Sequence, residues 1–544
     1  MEETKKLTAD EARRKFLQSD LTPEELAGDV ELLAGFMILM KEHFDSLKHQ
    51  LSQLQRSVYG RKSERFKDPK QLLLFQSQLE EFLGKAIHMD KKARAEGKNA
   101  SKPQAPAKGH GRKKLPESLP RFTERIEIPK EERTCPDCGK EMKPIGEEVT
   151  EKLCKISLTF VRRVERPVYT CQDCHTGVLT AEAPEEIVDR GMFDRSFLAS
   201  LLVAKYKDHL PLYRQAEIYK RDGIQLSVST LSDQVSLGAD LLEPIWKRIH
   251  EEILKRPWIQ ADETPVRYVE GKGKGKKTVK SYIWAFRAGK GRVFYVWAPT
   301  RGGIVAKEVL DGYEGKLQTD EYSGYSPIYR QGKVVEVGCM AHARRYFEKA
   351  LETSRIYAET ALSFFRFLYE IEKKLPKGET EEEIEERGRI RREKALPVLE
   401  KFKEWIEVHQ EVVLPKSPIG VAMKYMSERW GSFLEYTRDG RLEIDNNGVE
   451  RKIRPFAVGR KNWLQFGSEE GGKRAAVLMT LMENCHDIEV DPFLYLWDVL
   501  KRVGKCPSSK IHELTPLGWK EAYMDQAKEE LSAWQTKVLG NLKV

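Results

Sequence analysis

Long hydrophobic runs are missing from this chain of 544 residues. The longest apolar stretch, at about residues 475–482, is far shorter than the ~18–20 residues that a membrane-spanning helix needs. The first residues, MEETKKLTADEARRKF, also lack the apolar core of a secretory signal peptide. These absences exclude a membrane-spanning protein, and we expect a soluble, cytoplasmic protein with no membrane partner.

Cysteine content and net charge are both low. Eight cysteines are too few for a secreted disulfide scaffold, and 40% hydrophobic residues are too many for a globally disordered chain. The formal net charge is +9, and residues 91–114, with nine basic residues against one acid, carry +8 of it. A uniformly basic protein of the histone type is therefore excluded. The length predicts several domains.

The N-terminal region carries an unbroken heptad pattern over residues 23–59. Apolar residues from Leu26 to Val58 are spaced alternately by four and three positions, which is typical of a coiled coil. We predict that residues 1–89 form a helical assembly region and make the protein a homo-oligomer, a dimer or larger. Packing within the chain is the alternative.

Residues 90–118 lack periodicity and indicate a flexible basic linker, either a solvated spacer or a non-specific phosphate contact.

Two C-x-x-C pairs separated by 32 residues predict a metal site. Four thiolates, brought together by the strand-like segments between the pairs, suit tetrahedral Zn²⁺ in a zinc ribbon over residues 119–190. Two redox-active motifs are the alternative. Because four ligands fill the coordination sphere, we expect the site to be structural rather than catalytic. The predicted ligands are Cys135, Cys138, Cys171 and Cys174.

Residues 191–255 have the helical pattern of a helix-turn-helix DNA-binding domain. A helix that stops at Asp222-Gly223 is followed by a Ser/Thr-led helix, which Ser227 or Ser229 caps. Any three-helix bundle would give a similar pattern, so this prediction depends on its context. The predicted groove-facing residues are Ser229, Thr230 and Gln234.

Acidic residues lie in or directly after strand-like segments within residues 256–484. Asp262 lies in WIQADETPV, Asp320 ends GKLQTD, and Glu450 lies in a later helix. Three antiparallel strands, a helix, a further strand and a late helix describe a ribonuclease-H-like sheet on which these acids converge. Three such carboxylates would hold two Mg²⁺ (or Mn²⁺) ions for phosphodiester transfer. Any one acid alone also fits a strand end or helix cap, and Asp445 rivals Glu450 because spacing does not separate them.

The whole chain resembles the transposases of the bacterial insertion sequence sixty-six family. The resemblance extends nearly from end to end and includes both cysteine pairs. The other motifs occur in the family's order and are GRKSER (60–65), GHGRKKLP (109–116), KYKDHLPLYRQAEI (205–218), STLSD (229–233), QADETPV (260–266), TDEYSGY (319–325), AHARRYF (341–347), DNNGVERKIRP (445–455), RKNWLQFGS (460–468) and DPFLYLWDVLKRV (491–503).

The resemblance implies a DDE-type transposase in which Asp262, Asp320 and Glu450 are the catalytic, metal-binding acids. It implies a helical insertion at about residues 350–440 and a small helical C-terminal region over residues 485–544. The zinc ribbon and helix-turn-helix would bind double-stranded DNA at the terminal inverted repeats of the element. Accessory proteins of the same element are suggested as partners. The expected fold class is a multidomain α+β protein with a ribonuclease-H-like α/β catalytic core.

Basic and aromatic residues near the acids are predicted DNA contacts, since guanidinium groups match the geometry of phosphate. Some of these cations fit surface ion pairs equally well. Trp463 fits either stacking on a base or packing, and His342 fits either a phosphate contact or a structural role. The predicted contacts are Lys272, Lys274, Lys276, Lys277, His342, Arg345, Arg451, Lys452, Arg454, Arg460, Lys461 and Trp463.

The predicted function is DNA transposition in the bacterial cytoplasm, in association with the nucleoid when DNA is bound. The enzyme would cut at the element ends, expose 3′-OH groups and join them to target DNA by two-metal phosphoryl transfer. One alternative is a non-catalytic DNA-binding regulator, against which the intact set of acids argues. Another is a structure-specific nuclease of the same fold class, which would need no end-binding module.

Overall fold

The computed structural model describes residues 191–541 apart from 272–274 and 321, together with scattered residues from 137 to 187. The chain divides into two compact units, Met1–Arg112 and Lys113–Val544, and all of these residues belong to the second. The predicted coiled coil, the basic linker and the four predicted zinc ligands lie outside the described residues. Within the part that is described, no helix is long and apolar enough to span a bilayer.

A short hairpin and three helices precede the main sheet. Gly223, with a φ of 81°, ends the first helix of the predicted helix-turn-helix. The Ser227 hydroxyl accepts a hydrogen bond from the amide of Thr230 at 3.0 Å and so caps the second. The elements are β1 (Val168–Thr170), β2 (Val178–Thr180), α1 (Arg195–Tyr206), α2 (Leu212–Arg221) and α3 (Val228–Leu254).

A five-stranded sheet forms the centre of the molecule. Three antiparallel strands are followed by a helix and a further strand, as the sequence predicted, and the last two strands run parallel to the central one. The elements are β3 (Trp258–Glu270), β4 (Lys277–Arg287), β5 (Val293–Ala298), α4 (Gly303–Val309), β6 (Gly315–Gln318), α5 (Ser326–Tyr329) and β7 (Val334–Val337). Their order across the sheet is β5-β4-β3-β6-β7, so β3 is paired on both sides.

Six helices after β7 form a bundle with a hydrophobic core of its own. At its centre the rings of Phe364 and Phe402 stack with their centroids 4.7 Å apart. The helices are α6 (Met340–Lys349), α7 (Arg355–Glu372), α8 (Glu381–Ile390), α9 (Leu396–Gln410), α10 (Pro418–Glu428) and α11 (Trp430–Arg438), and a π-helical turn, Arg391–Ala395, joins α8 to α9. This bundle occupies the segment in which the sequence predicted a helical insertion.

The remaining helices return to the sheet and join it to the first three helices. The elements are α12 (Asn447–Trp463), α13 (Glu469–Asp487), α14 (Pro492–Arg502), α15 (Pro516–Ala522) and α16 (Met524–Asn541). In α13 the Asn484 side chain donates to the carbonyl of Val293 and accepts from its amide, at 2.7 and 2.8 Å. Helices α1, α3, α13 and α14 share one hydrophobic core with the sheet. Of the predicted DNA-reading helices, α3 therefore packs directly on the sheet that carries the acids, and α2 packs on α3.

Candidate active site

The register between β3 and β6 brings two of the predicted acids together. Gln260 of β3 pairs with Gln318 of the parallel strand β6. The residues two positions further along, Asp262 and Asp320, therefore lie side by side at the same edge of the sheet. Together with Glu263, they offer carboxylate oxygens that all lie within 4.8 Å of one another. Hard oxygen donors at this spacing suit a divalent cation.

A negative charge on the Asp262 carboxylate is unfavourable. Burial, followed by the charges of Asp320 and Glu263, raises its pKa to about 8, and Glu450 adds to the effect. Its Oδ1 accepts a hydrogen bond from the Glu263 amide at 2.8 Å, which opposes the rise only in part. It forms no ion pair with any described residue. A divalent cation would supply the missing positive charge, so the donor set fits a metal.

Glu450 lies in the first turn of α12 and is held by a neighbouring cation. Arg345 Nη2 donates to both of its carboxylate oxygens, at 3.1 and 3.3 Å. His342 Nε2 lies 3.9 Å from Glu450 Oε1 and 3.0 Å from Arg345 Nη1. Burial and the Arg345 charge lower the pKa of His342, which favours the neutral imidazole. The residues predicted as phosphate contacts therefore border the third predicted acid.

A polar framework ties the start of α12 to the sheet. The Asn446 side chain donates to the carbonyl of Ala261 at 3.1 Å, next to Asp262. Gly448 passes so close to the sheet that a Cβ there would lie 2.3 Å from both Gln260 Oε1 and Arg287 Nη1. A larger residue would displace these two side-chain ends, which are hydrogen-bonded to each other at 2.8 Å. This close approach fixes where α12 presents Glu450 relative to β3.

Asp445, the rival of Glu450, is already saturated with hydrogen bonds. Its Oδ2 accepts from the Tyr369 hydroxyl and from Asn447 Nδ2, both at 2.7 Å. Its Oδ1 accepts from the Asn447 amide at 3.0 Å. The side chain is buried, and burial raises its pKa. These contacts join the start of α12 to α7, so they support a structural role for Asp445.

Sequence reasoning missed the cluster around Glu263. This buried carboxylate accepts from Arg301 Nε at 2.6 Å and from the Tyr325 hydroxyl at 3.0 Å. The Arg301 guanidinium stacks over the Tyr322 ring at 4.0 Å, and Nη2 lies 3.9 Å from Asp320 Oδ2. Tyr322 and Tyr325 belong to the TDEYSGY motif, but Arg301 had no signal beyond its place in the turn after a buried strand.

The predicted DNA contacts on α12 fall into two groups. Arg451, Arg454 and Lys461 are exposed, and none of them forms an ion pair with a described residue. By contrast, Lys452 Nζ binds Glu483 and Asp487 of α13 at 2.9 and 2.8 Å. Lys452 therefore forms ion pairs within the protein, which was the alternative to a DNA contact. These lengths and its low exposure leave Lys452 little freedom to reach DNA.

The other predicted contacts are spread along the described residues. Arg460 Nη1 donates to the carbonyl of Pro265 at 2.7 Å. Trp463 stacks on Phe466 with ring centroids 4.7 Å apart, which favours its packing role. Lys276 is exposed, Lys277 pairs with Glu270 at 2.9 Å, and Lys272 and Lys274 lie outside the described residues.

The start of α3 presents the residues predicted to face a DNA groove. Ser229 is exposed, and its hydroxyl lies 2.7 Å from that of Ser227. Thr230 and Gln234 are partly exposed on the following turns. The hydroxyl of Thr230 also contacts Ser227, at 2.8 Å. Only Gln234 of the three is therefore clear of the capping network.

Comparison with known proteins gives matches along most of the chain. The family described as "Transposase IS66 family" matches residues 190–474, "Transposase C of IS166 homeodomain" matches residues 46–123, and "zinc-finger binding domain of transposase IS66" matches residues 132–175. Two proteins of Sinorhizobium fredii are also similar. Uncharacterized protein y4hP is 31% identical over 506 residues, covering 88% of this chain and 89% of the relative. Uncharacterized protein y4jD is 30% identical over 528 residues, covering 93% and 99%.

The family resemblance that the motifs indicated is confirmed by these matches. The zinc-finger match spans all four predicted zinc ligands and suggests zinc, and the family suggests a divalent metal and DNA as partner. The chain belongs to the IS66 transposase family, whose members are DDE-type transposases that cleave DNA with the help of metal ions.

Proposed function

We propose that this transposase binds the terminal inverted repeats of its element, cuts at the element ends and joins the 3′-OH ends to target DNA. Asp262, Asp320 and Glu450 are the proposed metal-binding acids. The observation that supports this most is the β3–β6 register, which sets Asp262 beside Asp320 on a sheet of ribonuclease-H-like order. The raised pKa of Asp262 supports it further, because this carboxylate lies beside other acids and forms no ion pair with a described residue.

The contacts favour Glu450 over Asp445 as the third acid. Both oxygens of Asp445 are engaged by Tyr369 and Asn447, and removing them would leave buried donors unsatisfied. Glu450 accepts hydrogen bonds from Arg345, and that guanidinium is about half exposed. An exposed ion pair contributes little to stability, so it is readily exchanged.

Bound divalent ions would stabilise the charge that develops on the attacking and leaving oxygens during phosphodiester transfer. In the first reaction, water adds to phosphorus, the bond from phosphorus to the 3′-oxygen breaks, and that oxygen takes up a proton. In the second, the 3′-OH adds to a target phosphodiester and a target 3′-oxygen leaves. Arg345 would exchange its contact with Glu450 for one with the scissile phosphate, and it would orient that phosphate. Neutral His342 would accept or donate a hydrogen bond beside it.

The end-binding parts are proposed from the sequence and supported by the family matches. Cys135, Cys138, Cys171 and Cys174 would hold a structural zinc ion within residues 119–190. The turn and helix over residues 222–234 would read a groove, with Gln234 the predicted side chain that lies outside the hydrogen bonds of the Ser227 cap. Residues 1–89 would assemble the chains, and residues 90–118 would link them to the zinc ribbon.

A direct test uses the purified wild-type chain and a duplex that carries the inverted repeats flanking its gene, joined to unrelated sequence. We expect Mg²⁺-dependent cuts at the repeat boundary and joining of the new 3′ ends to a target plasmid, both abolished by EDTA. A nuclease would cut without joining, and a regulator would bind without cutting. Either of those outcomes would overturn the proposed function.

A further inference from the structure

A cleft of about 270 Å³ lies beside α12. Helix α12 forms one wall, the end of α1 forms the second and α13 forms the third. The cations that line it are Lys207, Arg451 and Arg454, and two histidines, His209 and His486, join them. Of these residues, only Arg451 and Arg454 belong to the predicted DNA contacts.

The positive charge of this cleft is not neutralised from within. Lys207, Arg451 and Arg454 form no ion pair with any residue that the structure describes. The one acid in the lining, Glu483, is engaged by Lys452 Nζ at 2.9 Å. Unpaired cations that converge on a concave, partly buried surface favour an anion from outside the chain.

The floor of the cleft is apolar. Met479 and Met482 of α13 face it, together with Val458 of α12 and Tyr206 of α1. A volume of about 270 Å³ equals that of roughly nine water molecules, which is more than a single bare anion needs. The lining therefore suits a ligand that combines a negative charge with an apolar part. A nucleotide of a DNA strand has this composition.

The position of the cleft on α12 connects it to the acids. Arg451 directly follows Glu450, and Arg454 lies four residues after Glu450, which is about 6 Å along the helix axis. The cleft therefore borders the same stretch of α12 that carries Glu450.

We infer that this cleft binds the DNA strand next to the scissile phosphate, with one nucleotide's phosphate between Lys207, Arg451 and Arg454 and its apolar part against Met479 and Met482. This inference rests on the proposed function, because it places the scissile phosphate at Asp262, Asp320 and Glu450. It adds α1 to the substrate-binding surface. The helix that precedes the predicted helix-turn-helix would then contact the strand that is cut.

Charge reversal on the two opposite walls provides a binding test. The double variant Lys207→Glu, Arg454→Glu is compared with Lys416→Glu, Lys510→Glu, which reverses two exposed lysines elsewhere. Affinity for the inverted-repeat duplex is measured in EDTA over a range of salt concentrations, with thermal unfolding as the folding control. We expect at least tenfold weaker binding, and a log–log salt slope lower by about 2, for the cleft variant only. The milder Lys207→Gln, Arg454→Gln variant is used if the reversed one does not fold.

Photocrosslinking locates the strand on the wild-type chain. A photoreactive group is attached to single phosphates within three nucleotides of the repeat boundary, and the crosslinked peptide is identified. We expect crosslinks to residues 451–458 or to the end of α1. Crosslinks elsewhere, or a cleft variant with unchanged affinity and salt slope, would overturn the inference. Neither readout needs metal or cleavage, so failure of the proposed function would appear separately as a wild-type chain that binds but does not cut.

Discussion

Individual buried charges in this protein differ in whether they have a partner. Glu263 is buried but receives hydrogen bonds from Arg301 and Tyr325. Asp262, the preceding residue, receives one from a backbone amide, and its pKa is raised to about 8. Adjacent acids in one strand thus have different roles. The first is left without a countercharge beside Asp320, and the second anchors an arginine at the rim of the site.

Lys205 gives a prediction at this scale, because it is a buried amine with no ion pair among the described residues. Burial lowers its pKa to about 8, whereas its ordinary value is 10.5. The folded state therefore binds the proton less well than the unfolded state does. The free energy of unfolding is therefore not reduced by Lys205 above pH 10.5, and it is reduced fully once the pH has fallen through 8. Lys205→Met should thus stabilise the fold at pH 7, by up to about 3 kcal/mol.

Thermal unfolding of both proteins at pH 7 and pH 10 checks this prediction. The gain from Lys205→Met should shrink at pH 10, because the unfolded lysine is then losing its proton as well. The exposed Lys220 on α2 provides the control, since Lys220→Met should change stability little and equally at both pH values. A gain that is the same at both pH values would show that packing, and not charge, explains it.

Among the helices and strands, the insertion bundle depends on one buried ion pair. Arg391 is fully buried in the π-helical turn, and it donates to both oxygens of Glu372 at 2.8 and 2.7 Å. Its Nη1 also donates to the carbonyls of Tyr436 and Asp439, at 3.0 and 3.2 Å. One guanidinium thus joins α7, the π-helical turn and the end of α11.

Arg391→Ala should destabilise the bundle by about 3–5 kcal/mol, because it leaves Glu372 buried without its countercharge. Urea unfolding followed by tryptophan fluorescence measures the loss. Arg389→Ala is the matched control: Arg389 is exposed and pairs with Glu386 and Glu393, so its loss should amount to about 1 kcal/mol or less. Equal effects of the two substitutions would refute the importance of the buried pair.

The strands and helices of the core were predictable because each has a local signal. Val293–Ala298 and Val334–Val337 agree with the predicted strands, because short runs of β-branched and aromatic residues bounded by turns are typical of strands. The sequence also predicted a helix cap at Ser227 or Ser229, and the Ser227 hydroxyl forms it. The pairings between distant elements had no such signal. The sequence predicts that Lys452 contacts a phosphate, yet Lys452 binds two acids of α13, which lie 31 and 35 residues further along the chain.

On the scale of the whole molecule, the helices at both ends of the described residues and the sheet share one core. Arg195 of α1 lies 3.9 Å above the ring of Trp497 of α14. The predicted helix-turn-helix is therefore not a separate module on a linker. DNA bound to α3 would be held in a fixed position relative to the acids, which suits an enzyme that cuts at a defined distance from its recognition sequence.

The predicted zinc ribbon should contain about one zinc ion per chain. Elemental analysis of freshly purified, reduced protein measures it. Cys171→Ser should lose the metal because it removes one of four thiolates, whereas Cys506→Ser, at a free and partly exposed cysteine, should retain it. Reduced wild-type protein without zinc would exclude the ribbon.

Removal of residues 1–60 should convert the protein to a smaller assembly, because it deletes the predicted heptad seam. Light scattering gives the mass of both proteins. Leu47→Asp within the seam should act in the same way as the deletion, and Ser46→Asp, on the outside of the predicted helix, should not. An unchanged mass after the deletion would favour the alternative of packing within the chain.

Single-turnover cleavage of the element end by four variants tests the three acids most directly. Asp262→Asn, Asp320→Asn and Glu450→Gln should each retain end binding and lose Mg²⁺-dependent cleavage by at least about 100-fold, because bound metal contributes several kcal/mol to the transition state. Asp445→Asn, with its structural partners Tyr369 and Asn447, should retain cleavage within about tenfold. Cleavage at the wild-type rate by any of the first three, or loss of cleavage in Asp445→Asn alone, would be incompatible with a centre built from Asp262, Asp320 and Glu450.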